Sequence, residues 1–260
     1  HHDKALLLME TMIELNGIQK TLSGKPVLQG LDLKVHQGET LVIVGGSGMG
    51  KSVTLKHMVG LMTPDEGYVT VKGQDLLQAS RQQLAEIRQN FGMLFQSGAL
   101  LAWMTVRENV ALPLYEHSNL TEKEIYERVD EKLEMVGLQG AQHKRPAEIS
   151  GGMKKRAALA RAIIHAPDII LYDEPTSGLD PVMSRRIDQL ILDMQAKLKI
   201  TSVVVTHDLV SAFNVGDRVA MLSGGVVTEV SPPKVFRAST SPDVQEFVKA
   251  QFQEGHTHGS

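Results

Sequence analysis

The fold is decided by one stretch of the sequence, Gly45-Gly46-Ser47-Gly48-Met49-Gly50-Lys51-Ser52. It follows an apolar run at residues 41–44 and leads into a helix-like pattern that starts at Val53. Glycines at this spacing let the chain turn with its N–H groups pointing inward, and the start of the helix adds the positive end of its dipole. The pattern therefore predicts a strand, a phosphate-binding loop and a helix, rather than a glycine-rich turn that carries Lys-Ser by chance.

Two side chains of this loop suit a nucleoside triphosphate. Lys51 could reach the β- and γ-phosphate oxygens, and the Ser52 hydroxyl could take one position on Mg²⁺. We assign the backbone of residues 45–52 and Val53 to the same phosphate site. Taken alone, the loop predicts only that a nucleoside triphosphate binds.

The composition excludes several partner classes. The 260 residues carry 30 acidic and 27 basic side chains with no long block of one sign, which argues against nucleic acid or an anionic membrane surface as a partner. The absence of cysteine excludes disulfides and fits a reducing cytoplasm. Because no apolar run approaches the roughly 18 residues that span a bilayer, we expect any membrane role to come through partner chains.

The rest of the chain predicts an α/β fold. Alternation of apolar and polar residues over 12–35, and again over 68–73, predicts antiparallel strands that precede and follow the loop and its helix. Residues 91–96, 169–174 and 201–207 read as further strands, with helical patterns between them. Strands that alternate with helices around a glycine loop indicate a parallel sheet with helices on both faces.

Polar side chains at three strand ends are candidates for the chemistry. Asp173 could hold Mg²⁺, and Glu174, which points in a different direction, could polarise the attacking water. His207 could hydrogen-bond the γ-phosphate, and the uncharged Gln96 could contact Mg²⁺ or water. The alternatives are a solvated acidic pair and a structural histidine.

A second anion-binding helix start is predicted at Ser150-Gly151-Gly152, which has the glycines of the first loop but no lysine. The basic cluster that follows, residues 154–156, is interpreted mostly as a solvated helix face. Further on, Asp180-Pro181 is typical of a helix N-cap followed by proline at the first helical position.

Taken in order, these motifs resemble those of the ATP-binding-cassette (ABC) ATPases. The resemblance identifies the Walker A loop at residues 45–52, the Q-loop at Gln96, the signature at residues 150–152, the Walker B strand at residues 169–174, the D-loop at residues 177–180 and the switch histidine at His207. It implies a P-loop ATPase with a RecA-like core, an antiparallel β subdomain and an inserted helical subdomain. The expected limits are 1–230 for the ATPase domain, with the core at about 5–95 and 165–230 and the helical subdomain at about 97–164, and 231–260 for a C-terminal extension.

The resemblance also implies how the site is completed. Two copies would lie head to tail, so that each ATP lies between the Walker A loop of one copy and Ser150, Gly151 and Gly152 of the other, with Asp180 close by. Family members usually stack an aromatic residue on adenine just before the Ser23-Gly24 position, where this chain has Leu22. The usual glutamine of the signature is replaced by Met153.

A narrower resemblance is to the ATPase subunits of the Mla phospholipid-transport systems, which maintain bacterial outer-membrane lipid asymmetry. It rests on Met153 and on residues 94–100, 113–114, 116–117 and 157–162. It implies an integral permease, a substrate-binding subunit with an MCE domain and a small STAS-domain protein as partners at the cytoplasmic face of the inner membrane. The alternatives are an importer ATPase for another cargo, a soluble ABC protein acting on ribosomes or DNA, and a nucleotide-binding scaffold.

Two apolar segments could each belong either to the protein core or to an interface with another chain. Leu100, Leu101, Trp103 and Met104 either pack inside or line a groove for a short permease helix. Val244, Phe247, Val248 and Phe252 recur at helical spacing in the C-terminal extension, and either fold onto the chain's own core or dock on another chain. His256 and His258 are expected to lie in a solvated tail.

Overall fold

Two β-sheets organise the chain in the computed structural model, which describes residues 10–96 and 99–253. The strands of this part are β1 (Thr11–Leu22), β2 (Lys25–His36), β3 (Thr40–Val44), β4 (Glu66–Val71), β5 (Gln74–Asp75), β6 (Phe91–Leu94), β7 (Ile169–Asp173), β8 (Thr201–Thr206), β9 (Arg218–Ser223) and β10 (Val226–Ser231). Its α-helices are α1 (Lys51–Met58), α2 (Arg81–Arg88), α3 (Val106–His117), α4 (Glu122–Met135), α5 (Gly151–Ile163), α6 (Pro181–Leu198), α7 (Leu209–Val215), α8 (Pro233–Arg237) and α9 (Pro242–Gln253).

The first sheet is antiparallel, with strand order β2-β1-β4-β5. Alternate residues of β1 and β2, such as Ile13 and Leu31, are buried while their neighbours face outward, because successive side chains of a strand point to opposite faces. The antiparallel strands predicted over 12–35 and 68–73 are therefore confirmed.

The second sheet has the order β10-β9-β3-β8-β7-β6 and is parallel except for β10. Its central strands β3 and β8 are buried along their whole length, as expected for a parallel sheet that is covered on both faces. The residues that follow β3, β7 and β8 are the glycine loop, Glu174 and His207. Since parallel strands end at the same edge of a sheet, this topology brings the predicted site residues to one crevice.

The helices α3 to α5 lie between β6 and β7 in sequence, within the span 97–164 that was predicted to be helical. The capping box of α4 is present: Thr121 Oγ1 accepts a hydrogen bond from the N–H of Glu124, whose carboxylate accepts one from the N–H of Thr121. Ile125 and Leu133 of α4 are buried, as their spacing predicted. The exact limits of the subdomains remain predictions.

One predicted strand is shorter than expected. β6 ends at Leu94, so Gln96 lies in a turn beyond the strand rather than at its last residue. The pairing of β6 with β7 ends at Leu94, opposite Tyr172, and the next residue, Phe95, is exposed.

The C-terminal extension packs largely on its own chain. Val244 of α9 is buried, and Phe247 and Val248 pack against the same hydrophobic core, whereas Phe252 is half exposed. The structure thus favours the core interpretation for three of the four apolar residues. The predicted solvated tail with His256 and His258 lies outside the described residues.

No helix in residues 10–96 and 99–253 combines the length and the apolar character that a membrane span requires.

Candidate functional site

The glycine loop depends on two positions where a side chain does not fit. Gly50 caps α1 with φ 94°, and a Cβ there would lie 3.0 Å from side-chain atoms of Val27 and Leu28. A Cβ on Gly45 would lie 2.5 Å from the carbonyl oxygen of Leu222. These contacts fix the loop between the antiparallel sheet and β9, with the N-terminus of α1 directed into the crevice.

Lys51 is buried at the start of α1. Its ammonium donates to the carbonyl oxygens of Gly45 at 2.8 Å and Gly46 at 2.9 Å. Burial lowers the pKa of Lys51, and the nearby carboxylates of Glu174 and Asp173 oppose that shift. A bound polyphosphate would stabilise the ammonium further, because an opposite charge favours the charged form.

Ser52 and Asp173 come together although 121 residues separate them. The Ser52 hydroxyl donates to Asp173 Oδ1 at 3.0 Å. Burial raises the pKa of Asp173, and the Ser52 hydrogen bond opposes the rise. Hydroxyl and carboxylate oxygens are hard donors that suit Mg²⁺, so this pair could hold the ion beside the glycine loop.

Glu174 and His207 form the second close pair of the crevice. The carboxylate oxygen Oε2 of Glu174 accepts hydrogen bonds from His207 Nδ1 at 2.9 Å and from the His207 backbone N–H at 3.4 Å. Because a carboxylate only accepts, Nδ1 is the donor in this contact. Glu174 also has a φ of 49°, a left-handed conformation that is uncommon outside glycine and is concentrated at functional sites.

These residues surround a cleft of about 420 Å³. Among the described residues, the predicted site residues that line it are Leu22, Ser47, Gly48, Gly50, Lys51, Ser52, Val53, Gln96, Glu174 and His207. Gly45, Gly46 and Asp173 are outside the lining that the described residues form. The two glycine carbonyls accept hydrogen bonds from Lys51, the Asp173 carboxylate accepts one from Ser52, and the side chain of Met49 is partly exposed.

The sequence analysis missed Val27, which lines the cleft together with Leu22. The two residues flank the turn between β1 and β2, where Leu22 is paired with Lys25. The predicted antiparallel pairing across this turn could have indicated that Leu22 and Val27 lie close together.

The predicted signature lies elsewhere. Ser150 caps α5 by accepting from the N–H of Met153 at 3.3 Å. A Cβ on Gly151 would lie 3.6 Å from Cδ2 of Leu179, and a Cβ on Gly152 would lie 2.4 Å from the terminal methyl group of Met183, so that this flexible side chain would have to shift. Within the described residues, Ser150, Gly151 and Gly152 are not part of the lining of the cleft that contains Lys51.

Asp180 lies next to the signature. Its carboxylate accepts from the N–H groups of Val182 at 2.9 Å and Met183 at 3.0 Å, which confirms the predicted N-cap of α6. In the described part of the chain, Asp180, like the signature, is outside the lining of the cleft that contains Lys51.

The prediction of a solvated basic cluster was wrong for Lys155. Its side chain is buried, and its ammonium donates to the backbone carbonyls of Gln96 and Glu174. The helical spacing of the residues could have predicted this burial, because Gly152, Lys155 and Leu159 fall on one buried stripe of α5. Arg156 is half-buried and donates to the carbonyl oxygens of Val136 and Gly137.

The fold and this cleft define a P-loop ATPase. Comparison with known proteins then narrows the class: the family model described as "ABC transporter" matches residues 28–177, which is more than half of the chain. The chain belongs to the ABC transporter ATPase family.

Curated relatives cover almost the whole chain. It is 43% identical to the "probable ribonucleotide transport ATP-binding protein mkl" of Mycobacterium tuberculosis, over 94% of this chain and 68% of that protein. It is 37% identical to the "intermembrane phospholipid transport system ATP-binding protein MlaF" of Haemophilus influenzae, over 93% of this chain and 92% of that protein. It is 40% identical to the "methionine import ATP-binding protein MetN" of Clostridium acetobutylicum, over 91% of this chain and 74% of that protein.

Solved structures share the fold. CbiO1 of Clostridium perfringens, part of an ABC transporter complex, aligns with a TM-score of 0.81 and 28% identity over 94% of this chain and 97% of its own. The ATP-binding cassette MJ0796, solved as a dimer with ADP and Pi, aligns with a TM-score of 0.78 and 33% identity. The alignment covers 85% of this chain and 99% of the MJ0796 chain.

The position of Glu174 leads to a first prediction. Glu174→Gln should still bind ATP, because the amide keeps the size of the side chain, but turnover should fall about 10²- to 10⁴-fold, the usual contribution of a positioned general base. Steady-state ATP hydrolysis and equilibrium ATP binding measure the two effects. Glu66→Gln, an exposed change on β4, is the matched control. Near-normal hydrolysis by Glu174→Gln would contradict a role as base.

Leu22 leads to a second prediction. Leu22→Tyr should tighten ATP binding, because a ring on the cleft wall could stack on the base, with a gain of up to about 1–3 kcal/mol by analogy with base stacking in nucleic-acid sites. Titration of the full chain with ATP gives the dissociation constant, and Leu61→Tyr, on an exposed position away from the cleft lining, serves as the control. An unchanged constant would show that another residue, such as Val27, already packs on adenine.

Proposed function

We propose that this ABC ATPase powers phospholipid transport between the inner and outer membranes of a bacterium. The observation that carries the proposal is the similarity to MlaF, which extends over 93% of this chain and 92% of that protein. An MlaF from Escherichia coli matches 91% of the chain at 36% identity. The resemblance of residues 94–100 and 150–162 to Mla ATPases supports the same cargo.

The contacts in the cleft support a division of roles in hydrolysis. Lys51 would neutralise the β- and γ-phosphates, and Glu174 would accept a proton from the attacking water. His207, through the bond between its Nδ1 and Oε2 of Glu174, would orient that carboxylate. Ser52, Asp173 and Gln96 would hold Mg²⁺, which when bound offsets charge on the phosphate oxygens.

We propose that the site is completed by a second copy of the chain. Among the described residues, the signature Ser150-Gly151-Gly152 does not line the cleft that contains Lys51. This supports a head-to-tail arrangement in which the signature of one copy faces the Lys51 cleft of the other. The similar cassette MJ0796 is dimeric in its solved structures, which supports a site formed by two chains. Ser150, Gly151, Gly152 and Asp180 would then contact the nucleotide that is held by the other copy.

We propose that the segment between Ala99 and Thr105 forms a contact surface for a permease. The buried Asn109 holds this segment, because its side chain accepts from the N–H of Leu101 at 2.7 Å and donates to the carbonyls of Leu101, Met104 and Thr105 at 3.0–3.2 Å.

The four apolar residues of this segment differ in exposure. Leu100 packs against the core, Leu101 and Met104 are half-buried, and the side chain of Trp103 is 70% exposed. A large apolar ring held outward on an ordered turn is typical of a partner site.

The remaining partners follow from the Mla resemblance. We propose an integral permease, an MCE-domain subunit and a STAS-domain subunit, with the ATPase at the cytoplasmic face of the inner membrane. Methionine import and ribonucleotide transport are the competing cargoes, because the relatives that carry those names are 40% and 43% identical to this chain.

The test is to purify the tagged full chain from detergent-solubilised membranes of cells that naturally produce it, and to identify the bound subunits by mass spectrometry. The proposal predicts a permease together with MCE- and STAS-domain proteins, and bound phospholipid. A complex with a soluble amino-acid-binding or nucleotide-binding protein would contradict the phospholipid cargo.

The same experiment locates the permease contact. Trp103→Asp should leave ATP binding and folding intact but remove the membrane subunits, because a carboxylate cannot enter an apolar groove without loss of hydration. Val235→Asp is the matched control: Val235 is 56% exposed and lies on α8, which packs on β9 and β10 at the end of the sheet opposite β6. Normal capture by Trp103→Asp, or equal loss in both variants, would exclude Trp103 as the contact.

A further inference from the structure

Lys155 occupies an unusual position for a lysine. It lies on the buried stripe of α5 between Gly152 and Leu159, five residues after the helix cap Ser150, and only 6% of it is exposed. An ammonium in such a place loses its hydration and needs acceptors from the protein. Burial lowers the pKa of Lys155, and the carboxylates of Glu174 and Asp173 oppose the shift.

The acceptors of Lys155 are two backbone carbonyls from different loops. One belongs to Gln96, beyond β6, and the other to Glu174, beyond β7, where the distance from Nζ to the oxygen is 3.3 Å. The side chains of these two residues line the nucleotide cleft. One ammonium group therefore joins the backbones of two residues whose side chains face the nucleotide.

The backbone of Glu174 is one that needs such support. Its φ of 49° is rarely adopted by residues other than glycine, and it persists only where surrounding contacts hold it. The N–H of Glu174 donates to the carbonyl of Val205 at 2.8 Å, and its own carbonyl accepts from the N–H of Ser177 at 3.2 Å as well as from Lys155. Of these three hydrogen bonds, the one from Lys155 connects the backbone of Glu174 to α5.

The same helix also holds the chain beyond Gln96. Arg161, six residues after Lys155 on α5, donates from Nη1 to the carbonyl of Ala99 at 2.9 Å. The helix that begins with the signature thus contacts the Gln96 loop at two described points.

We infer that Lys155 is a positioning residue that ties the signature helix to the backbones of Gln96 and Glu174. A displacement of α5 when Ser150–Gly152 meets the nucleotide of the other copy would move the carbonyls of Gln96 and Glu174 in the same chain. The two sites of a dimer are thereby linked through a buried ammonium. This inference rests on the roles proposed for Gln96 and Glu174 in hydrolysis.

The test compares Lys155→Met with Lys154→Met in the full chain. Methionine fills a similar volume but donates no hydrogen bond, and the half-buried Lys154 is the adjacent lysine on the same helix. Lys155→Met should lower kcat by about 10- to 100-fold, because a misplacement near 1 Å at the reacting groups costs that much. The ATP dissociation constant should remain within about twofold, since Lys155 is not in the cleft lining. Lys154→Met should keep both values.

Two further variants separate positioning from folding. Lys155→Arg, which keeps the charge and the donors, should retain most of the turnover, and Lys155→Gln, which keeps one amide donor, should give an intermediate kcat. If Lys155→Met does not fold, the split between kcat and the dissociation constant in Lys155→Gln decides the question.

Wild-type turnover in Lys155→Met or Lys155→Gln would overturn the inference. So would a loss of ATP affinity that accounts for the whole loss of kcat/KM, or an equal defect in Lys154→Met. Normal turnover in Glu174→Gln would contradict both the proposed catalytic role of Glu174 and this inference. Reduced turnover in Glu174→Gln with normal turnover in the Lys155 variants would contradict only the inference.

Discussion

The parallel register of β3, β7 and β8 is the constraint on which the site depends. Val44 is paired with Thr206, and Asp173 with Val205, so the chain leaves all three strands at one edge of the sheet. This register is what holds Ser52 Oγ 3.0 Å from Asp173 and His207 Nδ1 2.9 Å from Glu174. The glycine loop supplies backbone N–H groups at the same edge, and the crevice thus combines an anion site with two carboxylates.

Much of this arrangement could be predicted from sequence because strand ends carry a local signal. Apolar runs that finish on Asp173-Glu174 or on His207 place those residues at the edge of a sheet wherever the strands are parallel. Pairings across the edge could not be predicted: the bond between Glu174 and His207 depends on the neighbouring register of β7 and β8. Gln96 was assigned to a strand that ends two residues earlier, because an exposed Phe95 prolonged the apolar pattern.

Lys155 shows where composition misleads. Three consecutive basic residues suggest a solvated surface, yet residues 154, 155 and 156 project 100° apart on a helix, and only the middle one falls on the buried stripe. Its partners are backbone carbonyls, which no side-chain pattern encodes. Asn109, whose side chain organises the turn that presents Trp103, was missed for the same reason.

The central claim is that each ATP is enclosed by two chains, and complementation between two inactive variants tests it most directly. Lys51→Ala removes the phosphate contact, and Gly151→Asp places a negative charge at the signature, where a Cβ would be in ordinary contact with Leu179 and the fold should be kept. Each variant alone should be inactive. A one-to-one mixture should recover roughly a quarter of the wild-type ATPase rate, because half of the randomly paired dimers contain one intact composite site. A mixture no more active than its separate components would contradict the account.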